Sequence, residues 1–254
     1  MTADLQLQPQ QPLIPDGEGA QMGIFEHLDE LRRRLFVSAF ALVIGTLAGV
    51  AVATPVLKFI SEPYGRTFIV LDPTGGVIQY FRVAIMVGAS LSIPVITYEL
   101  LMFILPGLTV KEKKWLLVSI PPIFFLFLVG IAFAWFILIP PALGFLVNFQ
   151  TSIFHAEWTA DHYLGFVTSL LFWMGVAFET PLVFFVLSLF AVVQSRQLIH
   201  HWRVAVVGSA IAAAVITPTV DPVNMMLVMG PLMALYALSI LLVSIGNRII
   251  KNKL

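Results

Sequence analysis

Beyond Gln21 the chain alternates long apolar stretches with short polar clusters, and six of the stretches are candidates to cross a bilayer. A hydrocarbon core of roughly 30 Å requires about 20 helical residues. The first stretch, Leu35 to Leu57, carries no charge. The second lies near Gln79 to Ile104, with Arg82 close to its start and Glu99 close to its end. The third, Trp115 to Ile139, is expected to stop at Pro140–Pro141, because a proline ring removes a donor and clashes with the preceding turn. The fourth runs from about Tyr163 to Val193 and holds one charge, Glu179. The fifth, Val204 to Thr217, has 14 residues, about 21 Å at the helical rise, which is short for a normal bilayer. The sixth, Val223 to Ile245, is interrupted at Gly230–Pro231, which leaves open whether it too is short. The expected fold class is therefore all-α and polytopic, with six transmembrane helices.

Composition agrees with this pattern. Of 254 residues, 59% are hydrophobic and 11% charged, and the mean hydropathy is +0.96, whereas soluble domains carry about 25% charged residues. Fourteen Lys and Arg balance fourteen Asp and Glu, which argues against the clustered basic surface of a nucleic-acid binder. With no cysteine, disulfides, thiolate metal sites and thiol nucleophiles are excluded. Residues 1–21 are rich in Gln, Pro and Gly and read as a disordered tail rather than a signal peptide, since no basic start precedes an early apolar stretch. Residues 22–254 form the membrane domain.

Charge placement orients the spans. An even number of spans puts both termini on one side, and that side carries eleven cations: Arg32–Arg34, Lys111, Lys113, Lys114, Arg196, Arg203, Arg248, Lys251 and Lys253. The other side has three, Lys58, Arg66 and Arg82. The bias makes both termini cytoplasmic. No internal repeat relates the two halves, which weakens an inverted-repeat carrier reading.

Two polar segments could carry chemistry. In Gly23 to Leu35, the residues Ile24, Leu28, Leu31 and Leu35 recur at helical spacing and leave Glu26, Glu30, Arg33 and Arg34 on the other side. One reading is an interfacial helix with an i,i+4 pair between Glu30 and Arg34. The other is a carboxylate held at the membrane surface for a cationic ligand. After the second span, Pro106–Gly107 breaks the helix and Glu112 stands among three lysines. It either offsets their charge or joins Glu30 in holding two guanidinium groups, which pair bidentately with carboxylates.

Glu179 is the third candidate. An acid near a helix centre costs roughly 2.5–3.5 kcal/mol on insertion scales and is a functional-site hypothesis by default. It reads either as a carboxyl group hydrogen-bonded to a neighbouring helix or as a polar point that meets partner helices. The histidines at 27, 155, 162, 200 and 201 lie on both sides of the membrane and do not make a metal-binding pair on one helix face. Gly88–Ala89–Ser90 has no histidine base within any span, and its small residues suit close helix packing. Pro63, Pro106 and Asp221, the last between Pro218 and Pro222, are assigned to turns.

HLDELRRRL at His27–Leu35, P-x-x-x-Y-E ending at Tyr98–Glu99, FILPGL followed by KE at Lys111–Glu112, GVAFETP at Gly175–Pro181 and TPTVDPVNM at Thr217–Met225 occur in this order. Together they resemble the TatC family, the receptor subunit of the twin-arginine protein translocase, over about Gly23 to Ile245. The resemblance implies that the N-terminal helix and first cytoplasmic loop recognise the paired arginines of signal peptides. Glu30 and Glu112 stand at the matching acidic positions, Phe103 at the loop phenylalanine, Glu179 at the membrane glutamate and Asp221 at the aspartate before span six; Arg32 is grouped with the signal-binding residues. Two departures matter. The family commonly has Tyr-Gln and then Trp where this chain has Tyr98–Glu99 and Leu101, which makes Glu99 a third acid of the recognition surface. The usual Tyr-Glu of span six is Tyr236–Ala237.

The resemblance further implies a non-enzymatic recognition core for export of folded proteins across a prokaryotic cytoplasmic membrane. It needs no cofactor, and the proton-motive force supplies the drive. The implied partners are twin-arginine signal peptides, single-span proteins of the TatA and TatB types and further copies of the chain, with no nucleic acid. The rival classes are a proton-coupled small-molecule carrier with Glu179 as relay and an intramembrane hydrolase, which lacks a base.

Overall fold

The computed structural model describes residues 24–65, 67–104, 110–153, 157–217 and 221–251; the tail at 1–21 and Pro106 lie outside the described residues. The described residues are predominantly helical, with a single isolated bridge between Ile69 and Thr159. Among the described residues, five helices are long and apolar enough to cross a membrane, and a sixth apolar helix is shorter.

Helix α1, Ile24–Ser61, is one uninterrupted helix of 38 residues, about 57 Å long. The polar segment before the first span is therefore not a separate interfacial helix. The stripe Ile24–Leu28–Leu31–Leu35 is in phase with the apolar run that follows, and no breaker separates them. The helix ends in a 3-10 turn, Glu62–Tyr64, which contains Pro63 and closes on Gly65 at φ +64.

Helix α2, Gly75–Ile104, makes its most extensive packing against α1. The seam is built on small residues. A Cβ at Gly49 would strike the Ala84 carbonyl, and one at Gly88 would strike the Thr46 backbone. Ser92 Oγ donates to the Ala41 carbonyl at 2.8 Å, and Tyr80 Oη to the Val50 carbonyl at 2.8 Å. Close backbone approach and interhelical hydrogen bonds are what hold helices together where lipid removes the hydrophobic drive.

Helix α3, Val110–Phe133, does not stop at Pro140–Pro141. A π turn at Ala134–Leu138 shifts the register, with the Ile139 N–H donating to the Ala134 carbonyl. The two prolines then occupy the opening turn of α4, Ile139–Asn148, where their missing donors cost nothing.

Helix α5, Ala160–Leu189, is the centre of the bundle, with Tyr163, Leu164, Val167, Leu170 and Met174 buried among α3, α2 and α8. Its first turn is anchored to the segment after α1. The Ala160 N–H donates to the Ile69 carbonyl at 3.0 Å, Tyr163 Oη donates to the Ile60 carbonyl at 3.0 Å, and Tyr64, Phe68, Trp158 and Tyr163 stack together. Arg82 of α2 pairs with Asp161 at 2.9 Å at this same end.

The chain closes with α6, Ser195–His200, α7, Trp202–Ile216, and α8, Pro222–Lys251. Helix α7 has 15 residues, about 22 Å. Helix α8 has 30, so the sixth span is not short. Pro231 removes one backbone donor, a loss that transmembrane helices tolerate where neighbours pack on both sides of the defect, as the buried Val228, Leu235 and Val243 do here. Tyr236 Oη donates to the Leu198 carbonyl at 2.6 Å and ties α8 to α6. Leu101 and Met102 cluster with Val186 and Leu187, and Gly246 faces Ser188. The start of α1, the end of α2 and the ends of α5 and α8 thus share one end of the bundle.

Candidate functional site

At that shared end, the first turns of α1 face the last turns of α2. Glu30 and Arg34 lie one turn apart on α1, and the tight seam at Gly45, Gly49 and Gly88 sets the distance to α2. Arg34 Nε donates to Glu30 Oε1 at 3.0 Å, its Nη2 donates to the same oxygen, and its Nη1 donates to Glu99 Oε2 at 2.9 Å. All three side chains are 15–18% exposed. Glu30 Oε2 is buried with no hydrogen-bond partner among the described residues. The trio borders a groove of about 630 Å³ that Glu26, Asp29, Arg33 and Tyr98 also line. Four carboxylates against two guanidinium groups leave this lining with an excess of two negative charges.

Phe103 stacks on His27 with ring centroids 4.5 Å apart, a second tie between the start of α1 and the end of α2. Arg32 turns elsewhere, with its guanidinium 5.9 Å from the Phe36 ring centroid, and it is not part of the groove lining. Glu112 falls in the first turn of α3, and its side chain lies outside what is described. Arg34 is the group the sequence reading placed only in a local pair. Its bond to Glu99 spans 65 residues, and the departure at Tyr98–Glu99 is the one sequence signal that pointed there.

Thr97 sits two residues before Glu99, so α2 presents the two on different faces, Glu99 toward α1 and Thr97 toward α5. Thr97 Oγ1 donates to Glu179 Oε2 at 3.0 Å. Glu179 is 5% exposed, and its Oε1 has no partner among the described residues. The acid is therefore turned inward, to α2. At the other end of the bundle Asp221 caps α8: Oδ1 accepts the Asn224 N–H at 2.7 Å and Oδ2 accepts Asn224 Nδ2 at 3.0 Å. Among the described residues no group of three or more His, Asp or Glu could hold a metal ion.

An acid-lined groove on a six-span bundle is the geometry to set beside known proteins. The sequence pattern of the family described as Sec-independent protein translocase protein (TatC) matches residues 26–231. The chain is 38% identical over 233 residues to the chloroplastic Sec-independent protein translocase protein TATC of Oryza sativa subsp. japonica, covering 91% of this chain and 64% of that protein. It thus spans a little under two thirds of that plant relative's length. It is 34% identical over 224 residues to the Sec-independent protein translocase protein TatC of Synechocystis sp., covering 88% of this chain and 87% of that one. A crystal structure described as the twin arginine translocase receptor TatC superposes with a TM-score of 0.77 at 32% identity, over 87% of this chain and 99% of that chain. The chain belongs to the TatC family of Sec-independent protein translocase proteins.

Proposed function

We propose that this chain is the signal-recognising core of a twin-arginine translocase, with the groove between α1 and α2 as the seat of the two signal arginines. The family is one of protein translocase components, a transport role rather than a catalytic one. The observation that carries the proposal is the Glu30–Arg34–Glu99 cluster, where carboxylates are held at one end of a membrane bundle beside a groove with excess negative charge. Guanidinium groups pair with carboxylates through two parallel donors, and they do so best where water is partly excluded. Glu112, in the first turn of α3, completes the acidic set.

In this reading the groove faces the cytoplasm, as the eleven-to-three cation bias requires, and the membrane is a prokaryotic cytoplasmic one. Single-span partners of the TatA and TatB types supply the passage, further copies of the chain join the complex, and the proton-motive force drives transport. Glu179, turned inward to Thr97, serves partner docking in this reading only through the α2–α5 packing that it holds.

The test is a twin-arginine signal peptide carrying a photoreactive residue next to its arginines, crosslinked to the full-length protein in membranes. Adducts should map to Glu26–Val37, Tyr98–Phe103 and the first turn of α3. Adducts confined to α7 and α8 would contradict the assignment.

A further inference from the structure

We propose that Arg196 and Arg203, at the junction of α6 and α7, seat the phosphate headgroup of an anionic phospholipid, drawn below the ordinary level of the membrane surface by the shortness of α7.

The junction is recessed by two separate measures. Helix α7 has 15 residues, about 22 Å of a roughly 30 Å hydrocarbon core. The Tyr236 hydroxyl donates to the Leu198 carbonyl of α6 at 2.6 Å, and Tyr236 stands fourteen residues into α8, about 21 Å from its start. Helix α8 runs on for another fifteen residues past that tie. Counted from the end where α7 passes into α8, the junction therefore stops about 8 Å short of the boundary that α8 crosses.

The charge at this depth has no counterpart in the chain. Arg196, His200, His201, Trp202 and Arg203 are all exposed, and the Arg203 guanidinium stands 5.7 Å from the Trp202 ring centroid. Among the described residues neither arginine pairs with a carboxylate. No Asp or Glu occurs between Glu179 and Asp221 or after Asp221, so α6, α7 and α8 carry no acid, and Glu179 of α5 is engaged by Thr97 of α2.

An arginine rooted inside the hydrocarbon boundary extends its guanidinium to the headgroup level. The group it meets there is phosphate, whose oxygens match the guanidinium fork. Along the same helix Val204, Val207 and Ile211 recur at helical spacing and are 59–66% exposed, an apolar track for the acyl chains of the bound lipid. A free phosphate ion gains nothing from that track. A zwitterionic headgroup brings its own cation beside the two arginines, so the seat favours a lipid of net negative charge.

The test uses the absence of native cysteine to place one fluorophore at Ile199→Cys, beside the arginines, or at Val215→Cys, on the exposed face of α7 twelve residues beyond Arg203. Full-length protein is reconstituted in phosphatidylcholine vesicles with phosphatidylglycerol or phosphatidylcholine bearing a nitroxide quencher on its acyl chain. At Ile199 the quenching should show phosphatidylglycerol associating about fivefold more strongly, the equivalent of one interfacial cation. At Val215 the two lipids should quench equally. The preference at Ile199 should persist at about 0.5 M salt, which screens diffuse surface attraction within a few ångströms but acts less on a recessed pair, and it should vanish in the Arg196→Gln, Arg203→Gln double variant. Equal quenching at Ile199, the same preference at Val215, loss of the preference in salt, or its survival in the double variant would each overturn the seat. The first three readings use protein with both arginines in place, so they decide the matter even where the double variant does not fold.

Discussion

Thr97 Oγ1 donates a 3.0 Å hydrogen bond to Glu179 Oε2, so α2 supplies a donor to a carboxyl group buried about 15 Å from the end of α5. One oxygen of the acid is thereby compensated within the chain, and Oε1 is not, among the described residues. Glu179→Gln keeps an acceptor for Thr97 and adds a donor. It should retain most export activity, whereas Glu179→Ala should weaken crosslinking to single-span partners more than it weakens signal binding. A proton relay at this position predicts instead that glutamine fails as completely as alanine.

The seam between α1 and α2 is a second point of attack. A larger side chain at Gly49 or Gly88 meets backbone, which cannot rotate away, and overpacking of this kind costs about 1–3 kcal/mol. Gly49→Leu and Gly88→Leu should lower the melting temperature in detergent and, by parting Glu99 from Arg34, weaken signal binding. Unchanged melting and binding would show that the helices are free to separate.

The shortness of α7 predicts a mechanical phenotype. At about 22 Å it falls short of a roughly 30 Å core, and mismatch costs fractions of a kcal/mol per Å. Inserting about six Leu or Ala residues after Val207 should reduce export and partner association while signal binding stays near normal. Full export by the lengthened protein would make the short helix incidental.

Topology is open to direct labelling, because the chain has no native cysteine. Single cysteines at Gln21, Lys113, Gln197 and Asn252 should react from the cytoplasm, and those at Thr74, Glu157 and Asp221 from the opposite side. Reaction of Asn252 from that opposite side would remove the six-span orientation.

Local properties of the chain were the legible ones. Apolar run length is enough to count six spans, and i,i+4 spacing is enough to pair Glu30 with Arg34, because each depends on residues within a few turns. Proline is less decisive. Pro140–Pro141 reads as a stop, yet a π turn at Ala134–Leu138 delivers both prolines to positions where no donor is needed, and Pro231 lies within a continuous α8. The break between charged and apolar residues at Leu35 reads as an element boundary, but a helix is indifferent to polarity when its period is unbroken. The partners of Glu99 and Glu179 were beyond reach for a different reason: Arg34 and Thr97 meet them 65 and 82 residues away, through packing that no local pattern encodes.

Recognition of paired arginines by acids at the α1–α2 end is the central claim, and the affinity of a twin-arginine peptide for acid-deficient protein tests it most directly. Each charge-assisted contact contributes roughly 1.5–3 kcal/mol, so loss of one carboxylate should weaken binding by about 10- to 150-fold. The account predicts that Glu30→Ala and Glu99→Ala each show this loss with abundance and membrane insertion intact, that Glu112→Ala adds to it, and that a Lys-Lys peptide, already weak, changes little. Wild-type affinity in the Glu30→Ala, Glu99→Ala double variant would contradict it.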